Sequence, residues 1–277
     1  MGRNFGRIVS MSASPLSPAH SRNLLTIGQL NIPFLRRIES LFAEEVKVTS
    51  TPLIADFFAE NPRSIVVCQH GRLMAWILFG SSAALYCHDN GGADRIPFAV
   101  SHRVFDNFPP ARRLLDHILP NAGSLGVEEL VSAFTAGYFS ELVLSPEGDN
   151  CNFGDGMTIT DFRSPRFIEL AIRADAPLIL MTHTGTENWG QRINVPQRVR
   201  PLCKLLPYSL YDRIEEHGHI IFPLIRRASQ VKIHLQSYSL ELQREELSTD
   251  PAQRQEQLWQ EAHRVRRAMQ TQLDTMR

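Results

Sequence analysis

Long hydrophobic runs are missing from this sequence. No apolar stretch approaches the roughly 18 residues that a helix needs to cross a bilayer, so no spanning segment is expected. There is no excess of charge either: 29 basic residues face 29 acidic ones, and no global field recruits nucleic acid. Cysteines are few and scattered. Cys68, Cys87, Cys151 and Cys203 show no paired metal-ligand spacing, and three of them lie beside apolar runs, the setting of buried reduced thiols in a cytoplasmic protein. The arginines near the start are not followed by a continuous apolar stretch, which argues against a secretory signal. No Gly-x-Ser-x-Gly elbow occurs, which ranks an α/β-hydrolase-like enzyme last.

What is present is the material of a globular domain. Hydrophobic residues make up 43% and charged residues 21%, enough for a sizeable core. Residues 1–22 are rich in Ser, Pro and Gly and are expected to form a disordered tail, which leaves 23–277 as a single domain. The apolar spacing from Pro33 to Phe42 is helical, and Thr51 is available to cap a short helix that ends before Pro62. Strands are expected at 64–68, 96–100, 141–145, 177–181 and 231–235, with helices at 71–86, 109–118, 127–139 and 164–174. Asp250 and Pro251 open a long closing helix. Strands separated by helices of this length imply an α/β fold: a central, mostly parallel sheet flanked by helices and wrapped by those at the two ends.

Two stretches carry candidate chemistry. In Ser64-Ile65-Val66-Val67-Cys68-Gln69-His70-Gly71, a β-branched run ends in a histidine at the strand's carboxyl end, the edge where open α/β sheets bind ligands. The plain alternative is a core or loop histidine. In Leu142-Val143-Leu144-Ser145-Pro146-Glu147-Gly148, a second strand runs into a turn whose Pro146 fixes the backbone and whose Gly148 permits close approach. That turn places the Glu147 carboxylate at a strand end; the alternative is a connecting loop.

Together, the two stretches resemble the glycerolipid (lysophospholipid) acyltransferase family. There a strand runs into a His, a helix follows, a later strand runs into Phe-Pro-Glu-Gly, and a further strand carries a Val-Pro-Ile type signature. The counterparts here are His70, then Leu144 to Gly148, then Ala176-Pro177-Leu178-Ile179. The resemblance spans about residues 45 to 275 and implies an acyltransferase of phospholipid biosynthesis. It would move a fatty acyl group from acyl-CoA or acyl-carrier protein, a co-substrate and not a cofactor, to the hydroxyl of a lysolipid or related acceptor. His70 would be the general base, since imidazole titrates near working pH. Gly71, Pro146, Glu147 and Gly148 would bind substrate, with Glu147 lining the acceptor site or anchoring the loop around His70. The setting implied is cytoplasmic and peripheral on the inner face of the membrane, with no metal.

The departures are specific. The family places an Asp at the fifth position after its His to orient the ring, and here that position is Ala75. Loss of an orienting carboxylate costs about 10⁴ in rate in a serine-protease triad, which motivates a second expectation, a relative that binds lipid or acyl donor without turnover. Asp89 is the nearest acidic replacement, or simply a turn residue before Gly91-Gly92. The family's phosphate-clamping Arg is missing from Asn121-Ala122-Gly123-Ser124-Leu125, and Arg112, with Arg113 beside it, is the substitute unless both sit on a solvated helix face. The His-Gly pair is closer to the diacylglycerol acyltransferase branch, which otherwise matches poorly. His183 follows the last core strand and would border the same cleft. His217 and His219 are spaced for one strand face and hence for a metal, although no third ligand is near. Arg192, Arg198 and Arg200 suit anionic headgroups, at about 1 kcal/mol per basic residue near the surface, or form a plain soluble loop.

Overall fold

The computed structural model describes residues 24–72, 74–101, 115–116, 118–148, 154–205, 208–222 and 224–277. The chain enters through a 3₁₀ turn, Ile27–Gln29, tied down by the buried Asn121. Asn121 Oδ1 accepts from Leu25 N at 2.9 Å, and its amide donates to the carbonyls of Leu25 (2.7 Å) and Pro97 (2.8 Å). Helix α1 (Ile32–Phe42) starts where Asn31 accepts from Phe34 N at 3.1 Å, with Pro33 in its first turn, the arrangement that satisfies an orphan N–H while wasting none. It leads into β1 (Ala43–Thr51), α2 (Ile54–Glu60) and β2 (Ser64–Cys68). The next elements are α3 (Ala75–Asp89), β3 (Pro97–Ala99), α4 (Val127–Thr135), β4 (Glu141–Leu144), α5 (Arg166–Ala174) and β5 (Leu178–Thr184). An excursion then holds β6 (Gln191–Asn194), a 3₁₀ segment (Arg200–Leu205), α6 (Tyr208–His217) and β7 (His219–Phe222), before β8 (Ala228–Tyr238) and α7 (Pro251–Thr275) close the chain.

Six strands form one sheet in the order β1-β8-β5-β2-β4-β3. The pairs β1/β8, β5/β2, β2/β4 and β4/β3 are parallel, and only β5/β8 is antiparallel. This is an α/β fold with a mostly parallel sheet flanked by helices. The carboxyl ends of β2, β3, β4 and β5 therefore share one edge. Strands β6 and β7 pair apart from it as an antiparallel ribbon.

Both faces of the central sheet are covered, which explains why β2 is a continuous apolar run, buried at all five positions. Ile65, Val67, Leu142, Leu178 and Leu180 pack against Phe134 of α4, Ile168 of α5 and the Leu258, Ala262, Val265, Met269 stripe of α7. The opposite face, Val66, Cys68, Ile179, Met181 and Ile233, meets Ala75, Leu78 and Phe79 of α3. Helix α1 covers α3 in turn through Leu35, Ile38, Ile77 and Leu85.

Several expectations are corrected. Thr51 caps no helix: it ends β1, and α2 begins at Ile54 with Leu53 as a cap that makes no side-chain bond. The helix after His70 starts at Ala75 rather than at residue 71, because Gly71 has φ +64° and breaks the run. β1 and the β6/β7 ribbon were not expected; β1 reads Ala-Glu-Glu-Val-Lys-Val-Thr-Ser-Thr and β6 is exposed throughout. Charged edge strands blunt unwanted pairing, and that same composition hides them. The expected tail 1–22, most of the helix 109–118, and Cys151 lie outside the described residues.

Candidate functional site

The parallel edge is built by period-two alternation. Side chains two residues apart share a sheet face, so the α3-facing series are Val66, Cys68, His70; Ile179, Met181, His183; Val143, Ser145; and Ala99, Ser101. Apolar residues occupy the interior of each series, and a polar residue stands at the carboxyl end of all four. Gln69 N donates to Met181 O at 2.9 Å, extending the register in which Cys68 faces Met181. His70 and His183 are thus brought to neighbouring strand ends.

Glu147 lies behind this row and is 1% exposed. Its Oε1 accepts from His70 N at 3.0 Å, and its Oε2 accepts from Thr160 N and Thr160 Oγ1, both at 2.8 Å. Burial pushes the carboxyl above its usual range, while the bonds from His70 and Thr160 and the charge of Arg266 pull against that. Of the two roles left open for Glu147, this geometry describes the anchor: the carboxylate locks the loop carrying His70 to the loop after β4. Pro146 takes part through its carbonyl, which accepts from Arg163 N at 2.8 Å, and Gly148 adopts φ +59° against the Arg163 side chain.

His183 is 1% exposed, stacks on Phe79 (centroids 4.6 Å apart, planes at 19°), and has Nδ1 3.3 Å from Thr186 Oγ1. Burial, and then the neighbouring His70, push its imidazole down to about 3. It is therefore neutral at working pH. A Cβ on Gly71 would lie 2.5 Å from His183 Cε1 and 3.2 Å from Ala75 Cβ, so Gly71 provides the space the ring occupies. The same contact shows that position 75 faces this loop, with a methyl group where the resemblance implies a carboxylate. Asp89 does not replace it. It ends a 15-residue helix, about 20 Å away at roughly 1.5 Å per residue, and pairs with Arg36 at 2.9 Å.

Four buried polar atoms at this edge have no hydrogen-bond partner among the described residues: Arg72 Nε, Ser101 Oγ, Ser145 Oγ and His183 Nε2. Such atoms are uncommon in a folded chain, and others lie elsewhere in the protein, among them Ser64 Oγ and Ser82 Oγ. Sequence reasoning missed Arg72, Ser101, Gln69 and Thr160. Gln69 is 2% exposed; its Oε1 accepts from His183 N at 3.0 Å and its Nε2 donates to Gly156 O at 3.4 Å, joining the loop after β2 to strand β5 and to the loop around Gly156. For Ser101 the available signal was the alternation itself, continued two residues past β3, which ends at Ala99; Arg72, Gln69 and Thr160 offered no comparable one.

Along the same sheet face, beneath α3, lies an apolar cavity of about 90 Å³, lined by Val66, Val143, Ile179, Met181, Gly80 and Ala83 among others. Arg112 lies outside the described residues. His217 and His219 do not share a strand: His217 ends α6, His219 opens β7, and His219 Nδ1 lies 2.8 Å from His217 O. No cluster suited to a metal occurs among the described residues, and no helix among them is long and apolar enough to cross a membrane. No protein-family model matches the chain, and no curated protein matches it significantly.

Proposed function

We propose that the chain is a divergent glycerolipid-acyltransferase-like enzyme. It moves a fatty acyl group from acyl-CoA or acyl-carrier protein to the hydroxyl of a lysolipid at the cytoplasmic membrane surface. The observation that carries this reading is the placement of His70: at the carboxyl edge, its backbone fixed by a buried carboxylate, on the sheet face that also lines an apolar cavity. In this reading His70 takes the acceptor's hydroxyl proton as that oxygen attacks the thioester carbonyl. The tetrahedral intermediate then expels the thiolate, which recovers the proton from His70, leaving an ester and a free thiol. The hydroxyl of Ser145 and the nearby backbone amides are the neutral groups that would hold the oxyanion. The cavity receives the end of the acyl chain.

The excursion between β5 and β8 supports a membrane-surface role. It exposes Leu202 (68%), Phe222 (54%), Ile193 and Val199 beside Arg192, Arg198, Arg200, Arg226 and Arg227, the pairing of apolar and basic groups that interfacial binding uses.

Ala75 supports a second reading, a lipid or acyl-donor binder without turnover, because a neutral His183 cannot stabilise an imidazolium as a carboxylate does. Incubation with acyl-CoA and a panel of lysolipids separates the two. Release of free thiol, with the ester product identified by mass, supports the enzyme; acyl-CoA binding without thiol release supports the second reading.

A further inference from the structure

We propose that the closing helix α7 positions His70, with Gln270 and Arg266 as the positioning residues. What that placement is for rests on the acyl-transfer reading; the placement itself does not. Residues 154–161 form neither helix nor strand, so their backbone groups must find partners outside a regular ladder. The Asp155 carboxylate closes the first turn by accepting from Met157 N at 2.7 Å and Thr158 N at 2.8 Å. Beyond that turn, α7 holds Ile159 by both backbone groups: Gln270 Oε1 accepts from Ile159 N at 2.8 Å, and Arg266 Nε donates to Ile159 O at 3.0 Å. Gln270 Nε2 also donates to Asp274 Oδ1 at 2.9 Å. An ionised carboxylate only accepts, so Asp274 fixes the amide with its oxygen toward Ile159. Arg266, Gln270 and Asp274 are spaced four apart and share one stripe of the helix. The neighbouring stripe of Val265, Met269 and Leu273 packs into the core.

The helix is itself tied to the sheet. Gln272 Nε2 donates to His234 O at 2.9 Å, and Lys232 Nζ donates to Met276 O at 3.0 Å. From this frame the path to His70 is short. Ile159 fixes Thr160, whose N and Oγ1 both donate to Glu147 Oε2 at 2.8 Å, and Glu147 Oε1 accepts from His70 N at 3.0 Å. The sheet does not do this work, because the strand ladder passes out of β2 at Gln69, which donates to Met181 O, and Gly71 turns away at φ +64°. Glu147 therefore supplies the backbone bond that the ladder no longer gives, and α7 sets where Thr160 presents itself to that carboxylate. The charge of Arg266 adds to this, favouring the ionised Glu147 that can accept from both sides.

The test compares wild type, Gln270→Ala and Gln270→Glu as full chains, by the amide proton resonances of His70 and Thr160 and by turnover of acyl-CoA with a lysolipid. Ala is the best helix former, so Gln270→Ala leaves α7 intact while removing the acceptor for Ile159 N. The proposal expects the His70 and Thr160 amide protons to move upfield as their bonds to Glu147 lengthen, with the amides of β1 unmoved. It expects kcat to fall about 10-fold, less than the 10²-fold that a 1 Å misplacement can cost, with KM for the donor unchanged within about twofold. Gln270→Glu keeps an acceptor for Ile159 N and should lie nearer to wild type than Gln270→Ala in both measurements. Should Gln270→Ala fail to fold, Arg266→Lys keeps the charge but loses the Nε donor to Ile159 O, and the same shifts are expected of it. The proposal is overturned if the His70 amide keeps its wild-type resonance in the folded variant, if KM moves and kcat does not, or if Gln270→Glu is no nearer to wild type than Gln270→Ala. If wild type releases no thiol, it is the acyl-transfer reading that fails, and the amide resonances alone decide the proposal.

Discussion

Glu147→Gln and Glu147→Ala should unfold the protein more readily, and the two costs should differ. The carboxylate is the acceptor for two backbone N–H groups, His70 N at 3.0 Å and Thr160 N at 2.8 Å, and for the Thr160 hydroxyl. Gln keeps one acceptor oxygen, so whichever way its amide turns, one of the two N–H groups faces an NH₂. A buried donor left unmet costs about 1–3 kcal/mol. Ala removes both acceptors, about 2–6 kcal/mol on the same scale, a large share of the roughly 5–15 kcal/mol that holds a typical protein folded. Urea denaturation followed by tryptophan fluorescence measures both, with unchanged slopes confirming that stability alone has moved. Turnover should fall alongside, since the His70 backbone loses its anchor. A Gln variant within about 0.5 kcal/mol of wild type, yet defective toward acceptor, would refute this reasoning and place the carboxylate on the substrate.

Gly80→Ala should stabilise the protein by about 0.8–1 kcal/mol, because Gly80 lies inside α3 and an added Cβ meets nothing within 4 Å. Gly80→Leu should fill the cavity that Gly80 lines and select against the longest acyl donors, read as kcat/KM across a chain-length series. His183 is held down at about 3 from an ordinary 6.5, so the unfolded chain binds more protons between those values. Its contribution is fully present above about 6.5 and is lost as pH falls toward 3, on the order of a few kcal/mol. Stability curves of wild type and His183→Asn should converge across that window, and parallel curves would show that His183 is not buried as described. The chain should float with anionic liposomes at low salt and less at high salt, and Leu202→Glu with Phe222→Glu should abolish flotation; flotation unaffected by the pair would exclude this surface.

The sheet was legible where burial is two-sided. Residues 64–68 read as a strand because both faces are covered, and β2 occupies exactly that continuous run. β1 was not legible: Glu44, Glu45 and Lys47 belong to an edge strand, where charge is favoured for reasons that propensity does not encode. In the site, the strand-to-turn pattern at His70 and Glu147 could be read locally, but their direct bond joins positions 77 residues apart. His183 looked like a loop residue in sequence, and only the parallel pairing of β2 with β5 sets it beside His70.

The most direct test of the central claim is thiol release from acyl-CoA in the presence of lysolipid by wild type and His70→Ala, after circular dichroism shows both equally folded. The account predicts ester formation by wild type and a fall of about 10²–10⁴ in kcat for the variant, the usual contribution of a general base. Turnover that survives His70→Ala undiminished would contradict it.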